Sequence, residues 1–154
     1  TEDDIESWIE FFIGNDRIHF VGLDPSQPHD ELADLFINKQ IERYPGGLGI
    51  LGLVEKSTNK LIGCCGIIPR DLDTGKAFEI GYSLKPKYWG KGYATEAAKR
   101  FKNFGFENKI SNQFISIINT DNTDSIKVAE KNSMSLLYKM EYIGMDVFVY
   151  GTLN

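Results

Sequence analysis

Tyr88-Trp89-Gly90-Lys91-Gly92-Tyr93-Ala94-Thr95-Glu96-Ala97 sets two glycines around a lysine, directly after the strand-like run Phe78-Glu79-Ile80-Gly81-Tyr82-Ser83-Leu84. Glycine allows a sharp turn and a close approach of backbone to a ligand. A helix that starts there offers N–H groups with no intrahelical acceptor. That combination binds anions, phosphate most often. Lys85, Lys87 and Lys91 cluster here in a chain whose formal net charge is −5. The local sign opposes the global one and points to an anionic ligand. Two common phosphate patterns do not fit: Gly-x-Gly-x-x-Gly fails because position 95 is Thr, and Gly-x-x-x-x-Gly-Lys-[Ser/Thr] does not match around Gly90. The plain alternative is a helix start that needs small residues only for packing.

Other reactive side chains are sparse. His19 and His29 stand apart with no partner at ligand spacing, so no metal site is expected. Cys64 and Cys65 are adjacent and do not bridge comfortably; they read as reduced core residues in a cytoplasmic protein. The sequence pI near 5.1 argues against a nucleic-acid coat or a membrane-surface binder. No stretch reaches the roughly 20 apolar residues of a membrane span, and Thr1-Glu2-Asp3-Asp4 does not read as a signal peptide. Length and an ordinary 42% hydrophobic content predict a single domain, 1–154, with its own core.

The elements that must position these residues follow from periodicity and turn chemistry. A Thr1–Asp4 capping box and Ile5, Trp8, Ile9 and Phe12 at helical spacing predict a helix near Asp3–Ile13. A second helix, about His29 to Arg43, presents Leu32, Leu35, Phe36 and Ile41 and stops at Pro45-Gly46-Gly47. Leu48–Glu55 and Leu61–Pro69 form a hairpin, and the turn Asp71–Gly75 leads into a strand Ala77–Leu84. A helix follows the glycines with Ala94, Ala97, Ala98, Phe101 and Phe104 inward. Then come a strand Gln113–Asn119, a helix Asp124–Lys131 and a closing hairpin of Met134–Tyr138 with Met145–Leu153. The fold class is mixed α/β (α+β).

Leu84-x-Pro86-x-Tyr88-Trp89-Gly90-Lys91-Gly92-Tyr93-Ala94-Thr95-Glu96-Ala97 resembles the acyl-CoA pyrophosphate loop of the GNAT N-acetyltransferases. Together with Glu79-Ile80-Gly81-Tyr82 it is similar to the branch of RimJ and RimL, the ribosomal-protein N-terminal acetyltransferases. About 30 residues after Gly92, Asn122-x-x-Ser125-Ile126 followed by Glu130-Lys131 resembles that family's Asn-x-x-Ser-Ile…Glu-Lys-x-Gly segment. The resemblance covers most of the chain and is strongest over Phe78–Met134. It implies a mostly antiparallel mixed sheet that opens between the Ala77–Leu84 and Gln113–Asn119 strands, with helices on both faces. Three positions depart from the pattern. The chain opens at what would be the helix after the family's first strand, so that edge strand is expected either to precede Thr1 or to be absent from the sheet. Asn132-Ser133 stands for x-Gly, with Asn expected to take the left-handed cap. Ala129 stands where many members carry a Tyr that protonates the leaving thiolate.

The resemblance implies acetyl transfer from acetyl-CoA to a primary amine, either a protein N-terminus or a small amine, in a monomer or homodimer with no metal. Lys87, Trp89, Gly90, Lys91, Gly92, Tyr93, Ala94 and Thr95 would hold the pyrophosphate. Tyr82, Ser83 and Leu84 would bond the pantetheine arm as an added strand does, and a backbone N–H there would stabilise the oxyanion. Asn122 and Ser125 would cap their helix and bond the same arm, with plain helix capping as the alternative. Glu79 is the expected base, with an orienting or structural role as its alternative. Trp8, Phe11, Phe12 and Phe20 belong mainly to the core, with one or two lining a pocket. Glu10, Asp16, Asp30 and Asp34 either attract a cationic amine or are solvated surface. A non-catalytic acyl-CoA sensor and a nucleotide-phosphate binder are the competing classes.

Overall fold

Apolar segments bounded by turn residues build six strands among the described residues: β1 (Ile50–Glu55), β2 (Lys60–Leu72), β3 (Gly75–Leu84), β4 (Ile115–Asn119), β5 (Met134–Tyr142) and β6 (Met145–Thr152). This computed structural model describes residues 1–152, so the expected strand end at Leu153 lies outside the described residues. The strand order is β1-β2-β3-β4-β6-β5. All neighbours are antiparallel except β3 and β4, which are parallel and share one registered pair, Glu79 opposite Ile115. Beyond that pair the two central strands diverge, which is the expected opening.

Among the described residues four α-helices cover the sheet: α1 (Ile5–Trp8, flanked by 3-10 turns), α2 (His29–Arg43), α3 (Tyr93–Glu107) and α4 (Thr123–Lys131). Successive strand residues face opposite sides of a sheet, and the adjacent cysteines of β2 do so. Cys64 packs with Trp8, Phe11, Phe12, Leu32 and Ile37 beneath α1 and α2, while Cys65 packs with Ile67, Ile80, Ala98 and Phe114 beneath α3. Burial pushes the Cys64 thiol up to about 12 and raises Cys65 too, so neither supplies a thiolate nucleophile near neutrality. A third cluster, Ile118, Ala129, Met134 and Tyr150, joins α4 to β4, β5 and β6.

Several local expectations are corrected. The first helix is not one α-helix over Asp3–Ile13: 3-10 turns at Glu2–Asp4 and Ile9–Phe11 tighten both ends. The Phe12 N–H bonds the Ile9 carbonyl at 3.0 Å, and this tighter winding brings Trp8, Phe11 and Phe12 inward together while Ile13 is exposed. On α2 the inward face is Leu32, Ala33, Ile37 and Gln40, with Phe36 half-buried, and Leu35 and Ile41 face solvent. At 100° per residue those two lie off the stripe that the other five define. Phe104 of α3 is exposed as well. Gly105 takes the inward place because a Cβ there would lie 2.2 Å from the Phe114 ring, so the helix backbone rests against that side chain.

Candidate active site

The opening between β3 and β4 leaves backbone groups without a ladder partner. On β3 the Ile80 carbonyl turns toward β4 and accepts from Ser116 Oγ at 2.9 Å, and the Leu84 carbonyl accepts from Trp89 Nε1 at 2.8 Å. By strand alternation Tyr82, between them, presents its peptide N–H and carbonyl to the gap. Two cavities, of about 250 Å³ and 200 Å³, flank this point, and Tyr82, Ser83, Asn122 and Ser125 line both. A ligand group in one therefore meets a group in the other at the middle of β3.

The first cavity ends at the glycine loop. Gly90 and Gly92 have φ of 73° and 87°, the left-handed region where a side chain is strained. Gly92 is the N-cap of α3 and offers no side-chain cap; the first intrahelical acceptor is its carbonyl, bonded by the Glu96 N–H at 3.0 Å. The N–H groups of Tyr93, Ala94 and Thr95 precede that bond and have no partner within the helix. A positive helix end with an uncapped first turn beside a cavity suits a pyrophosphate. Tyr82, Ser83, Leu84, Trp89, Gly90, Gly92, Ala94, Thr95, Asn122 and Ser125 all line this cavity, so the fold gathers most of the residues named from the sequence.

Three do not join them. Lys87 is drawn to Glu10 at 2.6 Å, and its ammonium holds that carboxyl below the usual range. Tyr93 donates to Glu55 at 2.5 Å, and Lys91 stands over the Tyr88 ring at 5.2 Å. Lys85 is buried and bonds Ser7 at 2.9 Å and Glu10 at 3.3 Å, tying the end of β3 to the N-terminal helical segment. The lysine cluster thus serves partly to fix the loop.

The cations that line the cavity were missed from the sequence: Arg17, Lys127 and Lys131. Lys127 and Lys131 stand one turn apart on α4, a spacing the sequence does display. Arg17 had no such signal. Its loop is held by Asn15, whose side chain donates to the Phe11 carbonyl and accepts from the Arg17 N–H, each at 2.9 Å. The guanidinium lies 4.2 Å over the Trp89 ring and donates to Asp124 at 2.7 Å, so it bridges the glycine loop and α4.

The start of α4 closes the other wall. Asn122 Oδ1 accepts from the Ser125 N–H at 3.2 Å, the capping role expected of it. The Tyr82 hydroxyl donates to the Ser125 carbonyl at 2.9 Å, and burial raises its pKa, so it stays protonated across the gap. Behind α4 the left-handed position is Ser133, φ 58°, and not Asn132, φ −93°. Asn132 is instead buried and donates to the carbonyls of Thr95 and Val128, linking α3 to α4.

Glu79 faces the second cavity from the point where β3 meets β4 and is 8% exposed. Ile68 lies opposite Glu79 and Arg70 opposite Ala77, so Arg70 and Glu79 are diagonal neighbours on one face. Arg70 Nε donates to Glu79 Oε2 at 2.5 Å. The expected base therefore sits in an ion pair. Of the four aromatic residues expected in the core or lining a pocket, Phe20 lines both cavities and Phe11 the first, while Trp8 and Phe12 are core. Asp16, Asp30 and Asp34 are exposed and line neither, and Glu10 is occupied by the lysines. No group of three or more His, Cys, Asp or Glu residues suited to a metal occurs among the described residues, and no helix of them is long and apolar enough to cross a membrane.

Comparison with known proteins agrees with this fold. The family model described as "Acetyltransferase (GNAT) domain" matches residues 1–135. YkkB of Bacillus subtilis is 38% identical over 95 residues, covering 60% of this chain and 55% of its own. The uncharacterized N-acetyltransferase p20 of Bacillus licheniformis is 35% identical over 115 residues, covering 73% and 59% respectively. The chain thus spans between 55% and 59% of the length of these curated relatives. Among solved structures, an acetyltransferase from Agrobacterium tumefaciens superposes with TM-score 0.78 at 25% identity, covering 100% of this chain and 87% of that one. RimL, a ribosomal-protein α-N-acetyltransferase in complex with coenzyme A, superposes with TM-score 0.76 at 19% identity over 99% and 90%, a likeness of fold.

Proposed function

The chain belongs to the GNAT acetyltransferase family, and from that premise we propose that it moves the acetyl group of acetyl-CoA to a primary amine within one domain spanning 1–154. The observation that carries the reading is the junction of the two cavities at Tyr82 and Ser83, with the uncapped helix start on one side and Glu79 on the other. The coenzyme A complex of RimL supports coenzyme A as the ligand class. In this reading Gly90, Gly92 and the N–H groups of Tyr93, Ala94 and Thr95 hold the pyrophosphate, with Arg17, Lys127 and Lys131 adding charge. Lys87 and Lys91 attract it from the rim. Asn122, Ser125 and the β3 backbone from Tyr82 to Leu84 hold the pantetheine arm.

The amine nitrogen attacks the thioester carbonyl carbon, its proton passes toward Glu79, and the carbon–sulfur bond breaks as the tetrahedral species collapses. The Tyr82 N–H, unpaired at the gap, is the oxyanion donor; loss of one such donor typically costs about 10²–10³ in rate. The thiolate takes its proton from a group other than residue 129, because Ala129, on the buried face of α4, has no ionisable side chain. The two buried thiols support a reducing, cytoplasmic setting. The missing acid and the Arg70–Glu79 pair are what a non-catalytic acyl-CoA sensor would also display.

Thermal melting with acetyl-CoA, CoA, ATP and NAD in parallel tests the ligand class. A ligand at 100 times its dissociation constant adds about 2.7 kcal/mol. Stabilisation by the CoA species alone is expected; equal protection by ATP would move the loop to the nucleotide-phosphate class.

A further inference from the structure

The second cavity carries a charge that a plain alkylamine does not match. Lys39 and Arg43 reach it from α2 and Arg70 from β2, while Glu79 is its one carboxylate among the described lining residues. Three cations against one anion leave a positive site in a chain of net charge −5. An alkylammonium approaching such a cavity is repelled by the surplus.

The individual partners sharpen this. Arg43 is half-buried at the C-terminal end of α2, and its guanidinium reaches only the Gln40 side-chain oxygen, at 3.4 Å, among the described residues. Removal from water and the nearby Arg70 charge lower its pKa, and the smaller opposing pull of Tyr142 and Glu79 does not cancel them. Arg70 engages Glu79 through Nε alone, which leaves its two Nη groups for another acceptor. Two guanidiniums beside one carboxylate form a dipolar pair of sites: an anion seats on Arg43 and Arg70, and an ammonium seats on Glu79. Guanidinium forks bind carboxylates and phosphates with matched geometry. A volume of about 200 Å³ is below that of a drug-sized pocket and takes a group of amino-acid size.

We propose that the acceptor is an amine bearing an anionic group, a carboxylate or phosphate ester, a few bonds from its nitrogen, with Arg43 and Arg70 holding the anion and Glu79 facing the amine. This deepens the acetyltransferase reading and rests on it for the reaction. It also gives the Arg70–Glu79 ion pair a function. An incoming anion competes for Arg70 and frees the Glu79 carboxylate for the ammonium delivered with it, so the base becomes available when the correct acceptor is bound.

The test compares matched acceptors by thiol release from acetyl-CoA: phenylalanine against its methyl ester and phenethylamine for a carboxylate, and O-phosphoethanolamine against ethanolamine for a phosphate. The anionic member of at least one set is expected to lead by about 10- to 100-fold in kcat/KM, the scale of a charge-assisted hydrogen bond. Arg43→Gln should remove the preference through KM, and Arg43→Lys should retain part of it. An unchanged melting shift with acetyl-CoA shows that each variant is folded. In parallel, binding of N-acetylphenylalanine is compared with that of its amide in the presence of CoA. Turnover with no preference for the anion, or a preference indifferent to Arg43→Gln, overturns the anion site and leaves acetyl transfer standing. Selective binding of the N-acetyl acid, lost in Arg43→Gln, without turnover of any amine sustains the anion site and overturns the transfer reading. Absence of both turnover and selective binding overturns the anion site.

Discussion

Glu79 is defined by its surroundings as much as by its type. It sits at the one rung that joins β3 to β4, buried, with Arg70 as its partner. Catalysis by a positioned base contributes typically about 10²–10⁴ in rate. Glu79→Gln should therefore lower kcat/KM by about that factor while leaving the acetyl-CoA melting shift unchanged, since Glu79 lines the second cavity and not the first. A loss of the acetyl-CoA shift in that variant would assign Glu79 to the architecture of the gap. The residue type and its strand were legible in the sequence. The Arg70 partner was not, because it lies nine positions away across a turn whose register only the folded hairpin fixes.

At the scale of elements, the sheet order depends on hairpins and the site on two helix starts. The glycine loop and the Asn122 cap follow from local patterns and were readable, while the strand gap was implied by the family resemblance. What was not readable came from packing between elements. Leu35, Ile41 and Phe104 look like core residues until Gln40 and Gly105 are seen to occupy the inward positions. Arg17 belongs to the site only through Trp89 and Asp124, which are distant in the sequence. The β5–β6 turn holds a further constraint. Ile143 and Gly144 have φ of 52° and 71°, a two-residue hairpin turn that favours Asn-Gly. A β-branched residue there is strained, yet Ile143 lines the second cavity. Ile143→Asn should raise stability by about 1 kcal/mol, measured by urea unfolding, because left-handed backbone costs an ordinary residue about 1–2 kcal/mol. A drop in stability instead would show that the Ile143 side chain contributes more by packing than its backbone loses.

The whole molecule divides its labour across the split sheet. α3 and α4 carry the uncapped helix start, the Asn122 cap, Lys127 and Lys131, while α2 and the β2–β3 hairpin bring Arg43, Arg70 and Glu79 to the other side. Tyr82 spans the join, its hydroxyl tied to Ser125 and its backbone open to the gap. The division predicts two binding events that meet in one reaction, and this separates an enzyme from a sensor built on the same sheet. The direct measurement is release of free CoA thiol from acetyl-CoA with and without a mixture of primary amines that includes amino acids and phosphorylated amines. Amine-dependent release with many turnovers per protein molecule is the predicted result. Tight binding of acetyl-CoA with no release above the amine-free rate, for any amine, would contradict the account and leave a domain that holds acyl-CoA without using it.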